Sequence, residues 1–97
     1  MVLAIDIGNT NIVIGCIQNK ECLFVERLST VHQKTEIEYA IDIKTVLDIY
    51  HIHVEQIEGG IISSVVPQVT NAAKLALEKI LKKNVMVVGA GVKTGLN

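Results

Sequence analysis

Residues 6–11, Asp-Ile-Gly-Asn-Thr-Asn, combine a carboxylate with a short polar turn. Gly8 can adopt backbone conformations that are closed to other residues, and the three residues after it offer short polar side chains and backbone N–H donors. Such a turn can bind a phosphate group. Asp6 alone would repel that phosphate, but it becomes useful if a Mg²⁺ ion, held through its water shell, lies between the two. The pattern predicts a Mg²⁺-assisted phosphate site.

The same residues also have a purely structural interpretation. Asp6 would then cap the turn, and Asn9, Thr10 and Asn11 would be ordinary hairpin residues. The motif Asp-x-Gly-x-Thr is short and common, so its chemistry alone leaves both interpretations open.

Charge and composition argue against several other functions. Nine basic and ten acidic residues are spread along the chain and give a net charge of -1, so there is no basic stripe for nucleic acid or an anionic membrane. The chain shows no apolar run of membrane-spanning length and no signal-peptide pattern at its start. His51 and His53 lack a third partner for a metal site. We expect a cytoplasmic protein that binds neither nucleic acid nor membrane.

The length of 97 residues allows one small domain with a single core. Hydrophobic residues make up 49% of the chain and aromatic residues only 3%, so Ile, Val, Leu and Ala must form the core, which favours an α/β interior. Cys16 and Cys22 flank a predicted turn at 18–21 and could face each other across a hairpin. In a cytoplasmic protein we expect both to be reduced thiols.

Three predicted strands must position the polar turn. The segments 2–7 and 12–17 are rich in β-branched residues, and a third strand is predicted at 22–28 after a second polar turn. Because the connections are short, these strands predict an antiparallel meander with the motif at its first tip.

Two helices and two further strands follow. They are predicted as a helix at 36–50, a strand at 61–66, a helix that starts at Pro67 and is closed by Asn84, and a strand at 85–88. Thr35 and Glu38 form a capping-box pattern, Pro67 suits a first helical turn, and continuous apolarity at 61–66 indicates a strand buried on both faces. The order β-β-β-α-β-α-β predicts a mixed sheet with helices against its faces and a ligand site at its strand ends.

Three segments carry a resemblance to a known family. They read DIGNTNIVIG at 6–15, ISSVVP at 62–67 and GVKTGLN at 91–97. In order and spacing they resemble type III pantothenate kinase, a member of the acetate kinase, sugar kinase, Hsp70 and actin superfamily. The resemblance implies a ribonuclease H-like mixed sheet that is one half of a duplicated two-domain kinase. Residues 1–97 would then be an incomplete amino-terminal ATPase-like domain, with the second domain absent.

The resemblance also implies site residues. The ATP phosphate-binding segment is Asp6, Ile7, Gly8, Asn9, Thr10, Asn11, Ile12 and Val13. Asp6 is the implied Mg²⁺ residue, through water. The approach to the pantothenate pocket is implied at Lys93, Thr94 and Gly95. Ser63 and Ser64 match a segment that lines the cleft floor, but we interpret them as hydrogen-bonded strand residues.

The implied reaction is phosphorylation of pantothenate by ATP to 4'-phosphopantothenate, the first step of coenzyme A biosynthesis. The family's catalytic base lies in a Gly-x-Asp-Arg motif that would follow Asn97, so no catalytic residue is assigned here. The family further implies a K⁺ or NH₄⁺ ion and a homodimer. We expect this chain alone to be inactive. The alternative is a non-catalytic transcriptional accessory or interaction module of the same family.

Overall fold

A computed structural model describes residues 1–89 of the chain. Its elements are β1 (Val2–Ile7), β2 (Asn11–Gln18), β3 (Glu21–Ser29), α1 (Glu36–Ile49), a 3₁₀ turn (Val54–Gln56), β4 (Gly59–Ser64), α2 (Pro67–Leu81) and β5 (Val85–Val88). The five strands form one sheet in the order β3-β2-β1-β4-β5. β1, β2 and β3 pair antiparallel, whereas β4 pairs parallel to β1 and to β5. The predicted meander and mixed sheet are confirmed.

Both helices lie on one face of the sheet. The strand register places four residues on that face: Phe24, Cys16, Leu3 and Gly60. A Cβ atom built on Gly60 would lie 2.6 Å from Leu77 Cδ2 of α2, so this strand and helix are in close contact. Tyr50, directly after α1, stacks on the Phe24 ring with the centroids 4.3 Å apart. The aliphatic core lies between this face and the two helices.

The helix starts follow the predicted signals. The backbone N–H of Thr35 donates to Glu38 Oε1 at 2.9 Å, and the N–H of Glu38 donates to Thr35 Oγ1 at 3.4 Å, which completes the capping box of α1. Pro67 occupies the first turn of α2, where no helical partner for an N–H is needed.

The end of α2 differs from the prediction. The helix stops at Leu81, and Lys82, not Asn84, terminates it in the left-handed conformation with φ 55°. The Lys82 N–H donates to the Glu78 carbonyl at 2.8 Å. Asn84 instead lies directly before β5, and its carbonyl accepts the Gly60 N–H at 3.3 Å.

The fourth strand is also shorter at its carboxyl end than predicted. β4 ends at Ser64, and the Val65 side chain is 53% exposed. The Ser64 hydroxyl accepts the Val66 N–H at 3.0 Å and so turns the chain into α2. Burial on both faces is only partial, since Ile62 and Ser63 are buried but Ile61 is half-buried.

The two cysteines do not face each other. Cys16 pairs with Phe24 and Cys22 with Ile17, because the register shifts between Cys16 and Ile17. Both thiols are free, as predicted, with Cys16 buried and Cys22 exposed.

Within residues 1–89, neither helix has the length and apolarity that crossing a membrane requires.

Candidate functional site

The polar turn lies at the carboxyl end of β1, beside the carboxyl end of β4. Because β1, β4 and β5 run parallel, their carboxyl ends meet at one edge of the sheet, where open α/β sheets bind ligands. The Val65 N–H donates to the Ile7 carbonyl at 3.0 Å and holds the turn after β4 beside the end of β1. The predicted site therefore lies at the edge of the sheet where folds of this kind bind ligands.

Gly8 begins the turn for a reason other than the one predicted. Its φ lies outside the left-handed region, so no special backbone conformation requires glycine there. Its N–H donates to the Asn11 carbonyl at 2.9 Å, and a Cβ atom on Gly8 would lie 3.2 Å from that oxygen. Close approach across the turn explains the glycine.

Asp6 lies on the sheet face opposite the helices. Its neighbours in β1, Ile5 and Ile7, are 1% and 3% exposed on the helix-covered face, and alternation directs Asp6 to the other face. In the register it lies between Val13 and Ser63, and it is half-buried. The carboxylate is thus on the central strand, two residues before the turn.

The remaining residues of the predicted phosphate segment differ in exposure, and Val13 is half-buried beside Asp6 in the register. Asn9 and Thr10 are exposed and Asn11 is half-buried, so the turn is accessible to a ligand. Ile7 and Ile12 are both 3% exposed in the core, so only their backbone can border a ligand.

Thr30 contacts the turn although the sequence analysis did not identify it. Its backbone N–H donates to the Thr10 carbonyl at 2.9 Å, and its hydroxyl donates to the Gly8 carbonyl at 2.7 Å. The pairing of Asn11 with Ser29 brings Thr30 beside Thr10. Counting the hairpin register from the turn at 18–21 would have placed Ser29 opposite Thr10, because the shift between Cys16 and Ile17 moves the pairing by one residue.

The two serines of β4 behave as structural residues. Ser63 is 8% exposed, and within the described part of the chain every buried side-chain nitrogen or oxygen has a hydrogen-bond partner. The Ser64 hydroxyl is engaged with the backbone of Val66. The Ser64 contacts agree with the interpretation of this serine as a hydrogen-bonded strand residue, and Ser63 is buried beside it.

The donor set suits a hydrated Mg²⁺ ion better than a directly ligated metal. Among residues 1–89, no group of three His, Cys, Asp or Glu side chains could hold a metal. One carboxylate beside a turn of backbone amides fits a cation that keeps several waters and shares phosphate oxygens.

The predicted pantothenate approach at Lys93, Thr94 and Gly95 lies outside the described residues.

Solved structures show the class of fold. A protein from Porphyromonas gingivalis described as an N-acetylglucosamine kinase superposes with a TM-score of 0.68 at 18% identity, covering 93% of this chain and 34% of its own. Thermus thermophilus RuvC, solved with a Holliday junction substrate, superposes with a TM-score of 0.61 at 18% identity, covering 91% of this chain and 63% of its own. The chain therefore has the ribonuclease H-like fold that sugar kinases and actin-like ATPases share.

Sequence comparison identifies the family within that class. The model of the type III pantothenate kinase family matches residues 2–97. A type III pantothenate kinase from Halalkalibacterium halodurans is 40% identical over 97 residues, which are 100% of this chain and 38% of the relative. The chain belongs to the type III pantothenate kinase family and spans less than half the length of this relative.

Proposed function

We propose that residues 1–97 form the phosphate-binding part of an enzyme that transfers the γ-phosphate of ATP to pantothenate. The product would be 4'-phosphopantothenate, the first intermediate of coenzyme A biosynthesis. The observation that carries this proposal is the family match over residues 2–97, which includes the turn at the carboxyl end of β1.

Each part of the turn has a role in this proposal. The backbone N–H groups of residues 9–11 bind phosphate oxygens, and the exposed side chains of Asn9 and Thr10 are available for further hydrogen bonds. Asp6 holds Mg²⁺ through water, and the ion supplies charge neutralisation to the phosphates. The buried Ile7 and Ile12 side chains anchor both ends of the turn in the core.

The complete enzyme would need more than this chain contains. Residues 1–97 have no Gly-x-Asp-Arg motif, so the base that accepts the pantothenate hydroxyl proton would lie elsewhere. Phosphoryl transfer depends on positioning and charge neutralisation, and a half-site should lose nearly all catalysis. We propose a cytoplasmic homodimer with a second domain, a K⁺ or NH₄⁺ ion and a pocket approached by Lys93, Thr94 and Gly95.

Nucleotide binding by the 97-residue chain tests the phosphate site. Backbone amide NMR signals of residues 8–11 should shift on titration with Mg²⁺-ATP. Asp6→Asn should weaken this binding about tenfold, because it removes a charged contact to the hydrated ion. Asp48→Asn is the matched control, since Asp48 pairs with Lys44 on the exposed surface of α1.

The outcomes separate binding from catalysis. No shift in the turn signals, or equal binding by wild type and Asp6→Asn, would contradict the phosphate site. The purified chain should show no pantothenate-dependent ADP release. Turnover that Asp6→Asn abolishes would instead show that the chain is active alone.

A further inference from the structure

Thr30 holds the turn at two points. Its hydroxyl donates to the Gly8 carbonyl at 2.7 Å and its N–H donates to the Thr10 carbonyl at 2.9 Å. The two acceptors are the first and third residues of the connection between β1 and β2. One residue directly after β3 therefore constrains two of the peptide units that make the turn.

These two hydrogen bonds set the direction of the turn's donors. In a trans peptide the carbonyl of one residue and the N–H of the next point in opposite directions. Because the Gly8 and Thr10 carbonyls point to Thr30, the N–H groups of Asn9 and Asn11 point away from it. The Asn9 N–H is thereby directed to the side of the turn opposite Thr30, at a residue that is exposed.

Thr30 is itself held by the segment that leads into α1. The Tyr39 hydroxyl donates to the Val31 carbonyl, and Tyr39 is 2% exposed in the core. The Lys34 ammonium pairs with the Asp42 carboxylate on α1. The residue after Thr30 is thus fixed to the helix, so Thr30 can act as a rigid support rather than follow the turn.

We propose that Thr30 is a positioning residue for nucleotide phosphate, acting through the peptide planes of the turn. The proposal rests on the phosphate-binding function proposed above. The hydroxyl keeps the Gly8 carbonyl from turning toward the ligand, where it would repel phosphate oxygens and withdraw the Asn9 N–H. Losing the hydroxyl should weaken phosphate binding while the fold persists, because the backbone bond to Thr10 remains.

Three variants of the 97-residue chain test this role. Thr30→Val removes the hydroxyl at nearly constant volume, and Thr30→Ser retains it. Thr45→Val is the matched control, because the Thr45 hydroxyl also donates to a backbone carbonyl, that of Ile41 at 2.7 Å, on the exposed surface of α1. Each variant is titrated with Mg²⁺-ATP by amide NMR and melted thermally.

Thr30→Val should weaken Mg²⁺-ATP binding about fivefold, the effect of one hydrogen bond. Thr30→Ser should bind like wild type, and Thr45→Val, which removes an exposed hydroxyl-to-carbonyl hydrogen bond on α1, should bind normally. Equal binding by Thr30→Val and wild type would overturn the positioning role alone. Weakened binding by both Thr30 variants would also overturn it, since the hydroxyl would then not matter. Absence of binding by the wild type would overturn both this inference and the proposed function.

Discussion

Asp6 shows how a carboxylate can lie in an otherwise aliphatic strand. Because side chains alternate along a strand, Ile5 and Ile7 are buried on the face that carries the helices, and Asp6 lies on the opposite face. Full burial of the carboxylate would be costly without a charged partner, whereas its half-buried position is compatible with a hydrated cation. The location of the residue thus supports a role at the ligand edge.

The two cysteines should differ in reactivity. Cys16 is 0% exposed, and burial raises the pKa of its thiol, so little reactive thiolate forms and reagents cannot reach it. Cys22 is exposed. We expect iodoacetamide to modify Cys22 in the native chain and Cys16 only after unfolding in urea, as read by peptide mass spectrometry. Comparable native labelling of both thiols would show that the β1–β2 core opens readily.

At the scale of elements, local signals predicted most of the fold. The capping box at Thr35 and the first-turn Pro67 marked both helix starts because those signals act within four residues. The left-handed Lys82 and the shifted pairing of Cys22 were missed. The helix end and the register shift both depend on how distant elements pack and pair, and no nearby residue type indicates either of them.

The candidate site shows the same difference between features that local sequence predicts and features that depend on long-range contacts. The turn from Asp6 to Asn11 is contiguous, so its composition indicated a possible phosphate site beside an ordinary hairpin, and the family resemblance gave the phosphate segment from Asp6 to Val13. Thr30 lies twenty or more residues from Gly8 and Thr10 in sequence, and the shifted pairing of β2 with β3 brings it to them. The actual reason for Gly8, a carbonyl 3.2 Å from where a Cβ would lie, also depends on three-dimensional contact.

The contact between β3 and the end of α1 should make stability depend on pH. The Tyr50 hydroxyl donates to Glu26 Oε1 at 2.8 Å, which lowers the pKa of Glu26 and raises the pKa of Tyr50. A lowered folded-state pKa stabilises the chain above the unfolded pKa of Glu26, and this contribution is lost as pH falls through the folded value. Likewise, the raised pKa of Tyr50 stabilises below its unfolded value and is lost at alkaline pH.

Tyr50→Phe should remove this pH-dependent contribution but keep the ring stack on Phe24. In urea unfolding the variant should be less stable than wild type near neutral pH, and the difference should shrink at acidic pH as the pH falls through the lowered folded-state pKa of Glu26. Glu26→Gln removes the titrating carboxyl. The double variant should show no greater loss of pH dependence than either single variant. A difference that is constant between the two pH values would assign the loss to packing instead.

The β4–α2 contact leaves no room for a side chain at Gly60. Its Cβ would lie 2.6 Å from Leu77 Cδ2, and Leu77 is 0% exposed, so the leucine must move within a packed core. Gly60→Ala should destabilise the chain by about 1–3 kcal/mol, measured by urea unfolding. Gly89→Ala is the control, because a Cβ there meets nothing within 4 Å. Equal stability of the two variants would mean that Leu77 can repack freely.

At the scale of the whole molecule, α1 is apolar on both sides. Its inner side is buried in the core, yet Ile37 and Ile41 on its outer side are 52% and 58% exposed. Together with Ile80 of α2 they line an open groove between the helices, bordered by Lys44 and Lys79. An exposed apolar patch of this kind favours association with another surface.

We therefore expect the isolated 97-residue chain to self-associate through this groove. Ile41→Glu should weaken association about tenfold, because it removes the burial of one aliphatic side chain, worth roughly 1.5 kcal/mol, and places a charge in the contact. Ile49→Glu is the matched control, since Ile49 lies on the same helix and is 64% exposed but does not line the groove. Sedimentation velocity over a wide concentration range measures both variants. A monomeric wild type would contradict self-association, and an equal effect of the two substitutions would place the contact on α1 outside the groove.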